Sequence, residues 1–349
     1  MDNFEEYLRQ GEPNKAEKAI VWKTAIGLQQ VDGLKPSDYL IETARQNIEG
    51  DITIEEVKQR IDSYYKQHPQ IDDENRTEEA DKVSARIAEI LSEQTFTFSP
   101  AEYISIHRRL FQGIYSHAGK IRDYNITKKE WVLNGETVLY GSAESLKATL
   151  EYDFEQEKKF TYKGLSQQEV IEHLAQFFSY LWQIHIFGEG NTRTKAIFLI
   201  KYLRTFGYIV NNDLFAKHSL YFRNALVRAN YNDFAKNIHA TNEFLNRFLE
   251  NLLLSGNHLL KNREMHVQFA ESLIDPVKSK TDLVNDLVKG NILQHLNQNP
   301  KAIYSELANK TGYSVATIKR HIKELKKMGK IERIGSDKTG YWKIIMLPE

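Results

Sequence analysis

Four polar side chains of different chemistry crowd one stretch near the middle of the 349-residue chain, "HIFGEGNTRTKAIFLI" at 185–200. His185 is an imidazole able to take a proton near neutral pH. Glu189 is a hard oxygen ligand suited to Mg²⁺. Asn191 and Arg193 add an amide and a guanidinium, both able to bind anions. Gly188 and Gly190 stand among them and interrupt an apolar run. Each glycine costs a helix about 1 kcal/mol relative to alanine, so two of them imply a backbone shape that other residues resist.

The flanking segments supply that shape. Upstream, "EVIEHLAQFFSYLWQIH" places Val170, Leu174, Phe177 or Phe178, Leu181 and Trp182 three and four residues apart, which predicts a core-packed helix ending near His185. Downstream, Ile197, Ile200, Leu203 and Phe206 repeat the spacing, and Thr192 or Asn191 is suited to cap the start of a second helix. A glycine loop opening a helix aims free backbone N–H groups and the positive end of the helix dipole at whatever lies above it. Phe187 would pack that loop on the core. A base, a carboxylate, an amide and a guanidinium around an anion hole point to phosphoryl or nucleotidyl transfer, with Glu189 holding Mg²⁺. A Walker P-loop does not fit, because the preceding strand and the Gly-Lys-Ser/Thr ending are both missing. Metal ligation by His185 and Glu189 on one continuous helix conflicts with the glycines between them.

The stretch resembles the signature of the Fic (Fic/Doc, or Fido) family, H-P-F-x-[D/E]-G-N-[G/K]-R-x-x-R. His185, Phe187, Glu189, Gly190, Asn191 and Arg193 match, Ile186 replaces the proline and Thr192 the glycine. Ala196 stands where the family has its second arginine, with Lys195 beside it, about 100° around the helix. "IHRRLFQGIYSHAGKIRDYNI", with Ala118, Gly119 and Arg122, is similar to the family's approach to its target-binding flap. The flap would be "KEWVLNGETVLYGS", where Asn134-Gly135 between Val132, Leu133 and Val138, Leu139 is a hairpin signal. The similarity spans roughly 95 to 255.

The resemblance implies transfer of AMP from ATP to a Ser, Thr or Tyr hydroxyl of a target protein, or of the chain itself. His185 would be the general base and Glu189 the Mg²⁺ ligand. The loop from Phe187 through Gly188, Glu189, Gly190, Asn191 and Thr192 would bind the nucleotide with Arg193 and Lys195, and Val132, Leu133, Asn134 and Gly135 would face the target. Many family members block the ATP site with a glutamate in the pattern [S/T]-x-x-x-E-[G/N]. Ile48-Glu49-Gly50 fits its end, while Arg45 replaces the hydroxyl residue and Ala196 removes the glutamate's usual partner. By this reading Glu49 is inhibitory. A plain helix stop before Gly50 is the alternative.

The chain is long enough for two or three domains. It has no cysteine, which excludes disulfides and thiolate metal sites. No apolar run spans a membrane, and "MDNFEEYLRQ" is acidic rather than a signal peptide, so a cytoplasmic protein without a membrane partner is expected. Lys plus Arg and Asp plus Glu each number 47. The balance hides an asymmetry: residues 291–349 carry 11 basic and 5 acidic side chains, a net of +6. That tail predicts helices around Ile292, Leu293 and Leu296, around Leu307 and Ala308, and around Ile318, Ile322 and Leu325. The alternating "KIERIGSDKTGYWKII" then forms a two-stranded wing. It resembles a winged helix-turn-helix domain with a recognition helix at Ser314 to Met328. Thr317, Lys319, Arg320, Lys323 and the wing's Lys338 are candidates to contact double-stranded DNA. A protein-interaction role is the alternative.

The predicted fold is mainly α, a Fic-type helical bundle with a β-hairpin flap plus a C-terminal winged helix. Its parts are an N-terminal helical region at 1–94 with "PQIDDENRTEE" as a linker, the Fic domain at 95–255, a helical linker at 256–281 and the winged helix at 282–349. A second copy of the chain is a further candidate partner. A nucleotide-sensing, DNA-binding regulator with a weakly catalytic Fic domain is the competing function.

Overall fold

The computed structural model describes residues 3–68, 76–208, 210, 214–269, 289, 291–293, 295–297, 299–311, 313–327, 329–335 and 340–345. Its helices in chain order are α1 (Glu5–Gln10), α2 (Pro13–Gly27), α3 (Asp38–Glu49), α4 (Ile54–Gln67), α5 (Thr77–Ser92), α6 (Pro100–Phe111) and α7 (Leu146–Lys159). They continue with α8 (Gln167–Ile184), α9 (Asn191–Thr205), α10 (Leu214–Arg228), α11 (Glu243–Leu253), α12 (Asn262–Met265), α13 (Tyr304–Thr311) and α14 (Val315–Lys327). Strands β1 (Ile331–Ile334) and β2 (Tyr341–Ile344) follow. The chain divides into two compact units, Met1–Val267 and Gln268–Glu349.

In the first unit α9 is the axis. Every residue from Asn191 to Leu203 is buried, polar ones included, because α5, α6 and α8 pack around it. A helix enclosed on all sides must satisfy its charges internally, and this requirement shapes the site described below. Its N-cap is Gly190 with φ 76°, not Thr192 or Asn191. The loop needs a left-handed residue at that point, and glycine adopts that shape without a Cβ penalty.

Local sequence sets the approach of α8. Ser166 caps it with a reciprocal Glu169 contact, so the helix starts where its apolar stripe begins. Ile171, Leu174, Ala175, Phe177, Phe178, Leu181, Trp182 and Ile184 are buried. The N-terminal helices are not a separate body: α2 packs against both α5 and α10. At 77–79 the predicted linker is already the first turn of α5, and its residues 69–75 lie outside the described ones. Of the predicted linker at 256–281, residues 270–281 lie outside them as well.

The flap departs from a hairpin. Asn134 (φ 56°) and Gly135 (φ 88°) make the expected tight turn, closed by Glu136 N–H donating to Leu133 O at 3.2 Å. The arms do not form strands: Trp131–Leu133 is a 3-10 turn, and among the described residues the one sheet is the β1–β2 pair. The turn buries Val132 and Leu133 completely through contacts with α10 and α12. That burial displaces an extended arm.

The second unit matches the tail's pattern. Ile292, Leu296, Ala302, Leu307, Ala308, Ile318, Ile322, Leu325, Ile331 and Trp342 form its core. Strands β1 and β2 pair antiparallel with Ile331 opposite Ile344 and Ile334 opposite Tyr341.

Candidate active site

His185 ends α8 in the left-handed region, with φ 49°, a conformation that costs a non-glycine residue roughly 1–2 kcal/mol. Neighbours hold it there. Its N–H donates to Trp182 O at 3.1 Å, and its carbonyl accepts Arg122 Nε at 2.8 Å. The ring lies between Tyr140, 4.5 Å away, and the edge of Trp182, 5.2 Å away. It is 4% exposed. Burial drives its pKa well below the ordinary value, helped by the charges of Lys128 and Lys195. The imidazole is therefore neutral at pH 7, the state a general base needs. Its Nδ1 is buried with no protein partner among the described residues.

The loop after His185 is braced from within and from below. Asn191 Oδ1 accepts Phe187 N–H at 3.1 Å, and Asn191 Nδ2 donates to Phe187 O at 2.7 Å. Asn191 is thus spent as the staple of the loop, where sequence reasoning had it facing a phosphate. Thr192 Oγ1 accepts Trp182 Nε1–H at 3.3 Å. Phe187 stacks on His107 with ring centroids 3.6 Å apart. Gly119 N–H donates to His107 Nδ1 at 2.8 Å, which fixes the proton on Nε2, and Nε2 donates to Glu189 O at 3.0 Å. Burial holds the His107 pKa down at about 4, in keeping with that neutral tautomer. Nothing in the spacing of His107 marked it for this work.

Glu189 stands at the rim, its side chain 51% exposed and 3.1 Å from Lys128 Nζ. Among the described residues no three His, Cys, Asp or Glu side chains gather into a metal cage.

Residues 97–203 match the Fic/DOC family, and residues 286–332 match winged helix-turn-helix DNA-binding domains. The chain carries a Fic/DOC domain. Protein adenylyltransferase VbhT of Bartonella schoenbuchensis is 28% identical over 144 residues, which cover 38% of this chain and 29% of that relative. The match therefore spans under a third of the relative's length. Two solved Fic domains of Bartonella effector proteins are similar at 18% identity. The Bep domain from Bartonella sp. AR 15-3 covers 50% of this chain and 81% of its own, with a TM-score of 0.39. The Bep8 domain from Bartonella sp. 1-1C covers 60% and 89%, with a TM-score of 0.32.

Three residues stand differently from their sequence assignments. Arg193 is fully buried and paired with two carboxylates: Nε lies 2.8 Å from Asp32 Oδ2, an ion pair without hydrogen-bond alignment, Nη2 is 2.7 Å from Glu79 Oε1, and Nη1 donates to Gln29 Oε1 at 3.0 Å. Tyr115 OH is 3.1 Å from Nη2, and the Phe111 ring lies 4.8 Å beneath the guanidinium. Burial pushes the Glu79 pKa up, but Arg193 together with bonds from Tyr115 and Arg76 outweighs it and holds the carboxyl below its usual range. Lys195 also misses the loop. Its ammonium is buried between α8 and α9 and donates to Phe178 O at 2.7 Å, because position 195 turns inward on an enclosed helix.

Glu49 is the third. It is the last residue of α3, followed by Gly50 at φ 92°, and its carboxylate pairs with Lys15 at 2.9 Å. This is ordinary helix termination. The carboxylates on the signature arginine are Asp32 and Glu79 instead. The flap reading shifts similarly: Val132 and Leu133 are buried, while Trp131 (57% exposed) and Leu139 (83%) face outward.

In the winged-helix unit Ile318, Ile322 and Leu325 turn inward, which leaves Lys319, Arg320 and Lys323 exposed on α14 and Thr317 half-buried. Lys319 Nζ sits 5.7 Å from the Tyr304 ring centroid. Lys338 lies outside the described residues. No helix among the described residues is long and apolar enough to cross a membrane.

Proposed function

We propose that this protein transfers AMP from ATP to a hydroxyl of a protein, its own chain included, in the cytoplasm. The observation that carries the reading is a neutral, buried His185 at one end of a loop whose other end opens α9. Neutral His185 takes the proton of the target hydroxyl, and the oxygen attacks the α-phosphorus of ATP. The bond to the β-phosphate oxygen breaks and pyrophosphate leaves. Amides at the start of α9 stabilise the charge that grows on the phosphoryl oxygens. Glu189 is the one rim carboxylate of the loop, which fits Mg²⁺ held by one side chain and completed by phosphate oxygens and water. Bound there, the ion would neutralise phosphate charge.

A second reading, a nucleotide-sensing DNA-binding regulator, is favoured by the carboxylates on Arg193 and by the exposed basic face of α14. Labelled ATP with Mg²⁺ decides between them. Covalent label on protein, lost in His185→Ala while nucleotide affinity stays within a few-fold, is the expected result. Tight nucleotide binding with no label on the chain or on any added lysate protein, in wild type and in Glu79→Gln, would assign the domain to sensing.

A further inference from the structure

Three side chains between α6 and α7 close over the signature loop. Lys128 Nζ lies 3.1 Å from Glu189 Oε2, and of the cations around His185 it acts on that ring most strongly. Its backbone is tied to the other arm of the flap through Thr137 Oγ1 at 3.3 Å. At the same loop, a Cβ on Gly188 would lie 2.6 Å from Tyr124 OH and 3.4 Å from His117 Nε2. That nitrogen is buried and has no partner among the described residues. Gly188 thus lacks a side chain where an imidazole nitrogen and a phenol already reach over the loop amides.

The charge balance gives these groups a purpose. A nucleotide triphosphate brings several negative charges, yet Arg193 is held by Asp32 and Glu79 and Ala196 offers no charge. Within reach of the loop, the ammonium of Lys128 can release its present partner at modest cost, since Glu189 is half exposed and exposed pairs are weak.

Resting on the reading of a nucleotide site at this loop, we propose that Lys128 is a direct ligand of the donor's phosphates. It exchanges its ion pair with Glu189 for one with phosphate when the nucleotide enters, which frees the Glu189 carboxylate. His117 Nε2, beside Gly188, completes the contact. The specificity follows: a lysine and an imidazole take over the outer-phosphate contacts that two guanidinium groups make in the family signature.

Calorimetry of nucleotide binding to the full chain, with ATP as the probe, with and without Mg²⁺, tests the assignment. Lys128→Gln is expected to weaken ATP binding roughly ten- to hundredfold, the size of a lost charged hydrogen bond. Lys128→Arg should stay within a few-fold, and His117→Ala should lose up to about tenfold. Equal or tighter binding by a Lys128→Gln variant with an unchanged melting temperature would overturn the proposal, because Lys128 would then be a plug on Glu189. No ATP affinity in wild type and in Glu79→Gln alike would reject the nucleotide reading itself, and the proposal with it.

Discussion

Arg193 decides how the site is read at the scale of single residues. Its guanidinium cannot serve outer phosphates while Asp32 and Glu79 hold it, so any such role requires one carboxylate to leave. Glu79→Gln keeps the shape and the Tyr115 contact but removes the charge. If Glu79 restrains the enzyme, automodification from labelled ATP should rise at least several-fold. The melting temperature should fall, since breaking a buried pair costs about 3–5 kcal/mol, reduced here because Asp32 remains. Lower stability with unchanged labelling would make the pair purely structural. Glu49→Gly should leave labelling unchanged, because its partner is Lys15 rather than the loop. The sequence marked His185 and the loop through local spacing. It could not mark their partners, since Gln29 is 164 positions from Arg193 and Glu79 is 114, in a stretch whose acidic composition resembles a linker.

Elements translate spacing into position, and the two glycines of the loop, Gly188 and Gly190, show how differently they do so. Gly190 has φ 76°, and a Cβ there would lie 2.3 Å from Phe111 Cε2, a ring that is itself fully buried. Gly190→Ala should therefore destabilise by about 1–3 kcal/mol through strain and overpacking together, with loss of nucleotide affinity. Gly188 has no such backbone demand, and its nearest obstacle is the hydroxyl end of Tyr124, a side chain 54% exposed. Gly188→Ala should swing Tyr124 aside and shift the melting temperature little. Equal losses in both variants, read by thermal melting, would contradict this distinction. Helices α8 and α9 were legible because their apolar periods are long, although the cap read for α9 gave way to Gly190. The flap was legible as a turn but not as a shape: Asn134-Gly135 specifies the reversal, whereas tertiary burial of Val132 and Leu133 chooses the 3-10 arm over a strand.

The whole molecule sums to zero formal charge, which says nothing about steering until the sum is split. Residues 291–349 carry the positive excess, and packing then aims part of it. Core residues Ile318, Ile322 and Leu325 face inward, so Lys319, Arg320 and Lys323 share the exposed side of α14. The winged-helix pattern was legible from those spacings, while the partner it meets was not, because exposed cations suit DNA phosphates and acidic proteins alike. Salt dependence separates these. Each cation that neutralises a phosphate of B-form DNA adds about 0.9 to the slope of log K against log salt. If all three face phosphate, the full chain should bind duplex DNA with a slope that drops by roughly three in a Lys319→Gln, Arg320→Gln, Lys323→Gln variant. Lys319 is the least committed of them, as the Tyr304 ring already shares its charge, so its single substitution should change the slope least. Fluorescence anisotropy over a salt series measures this directly. A slope that the triple variant leaves unchanged, or no binding at low salt, would move the basic face of α14 from nucleic acid to a protein partner.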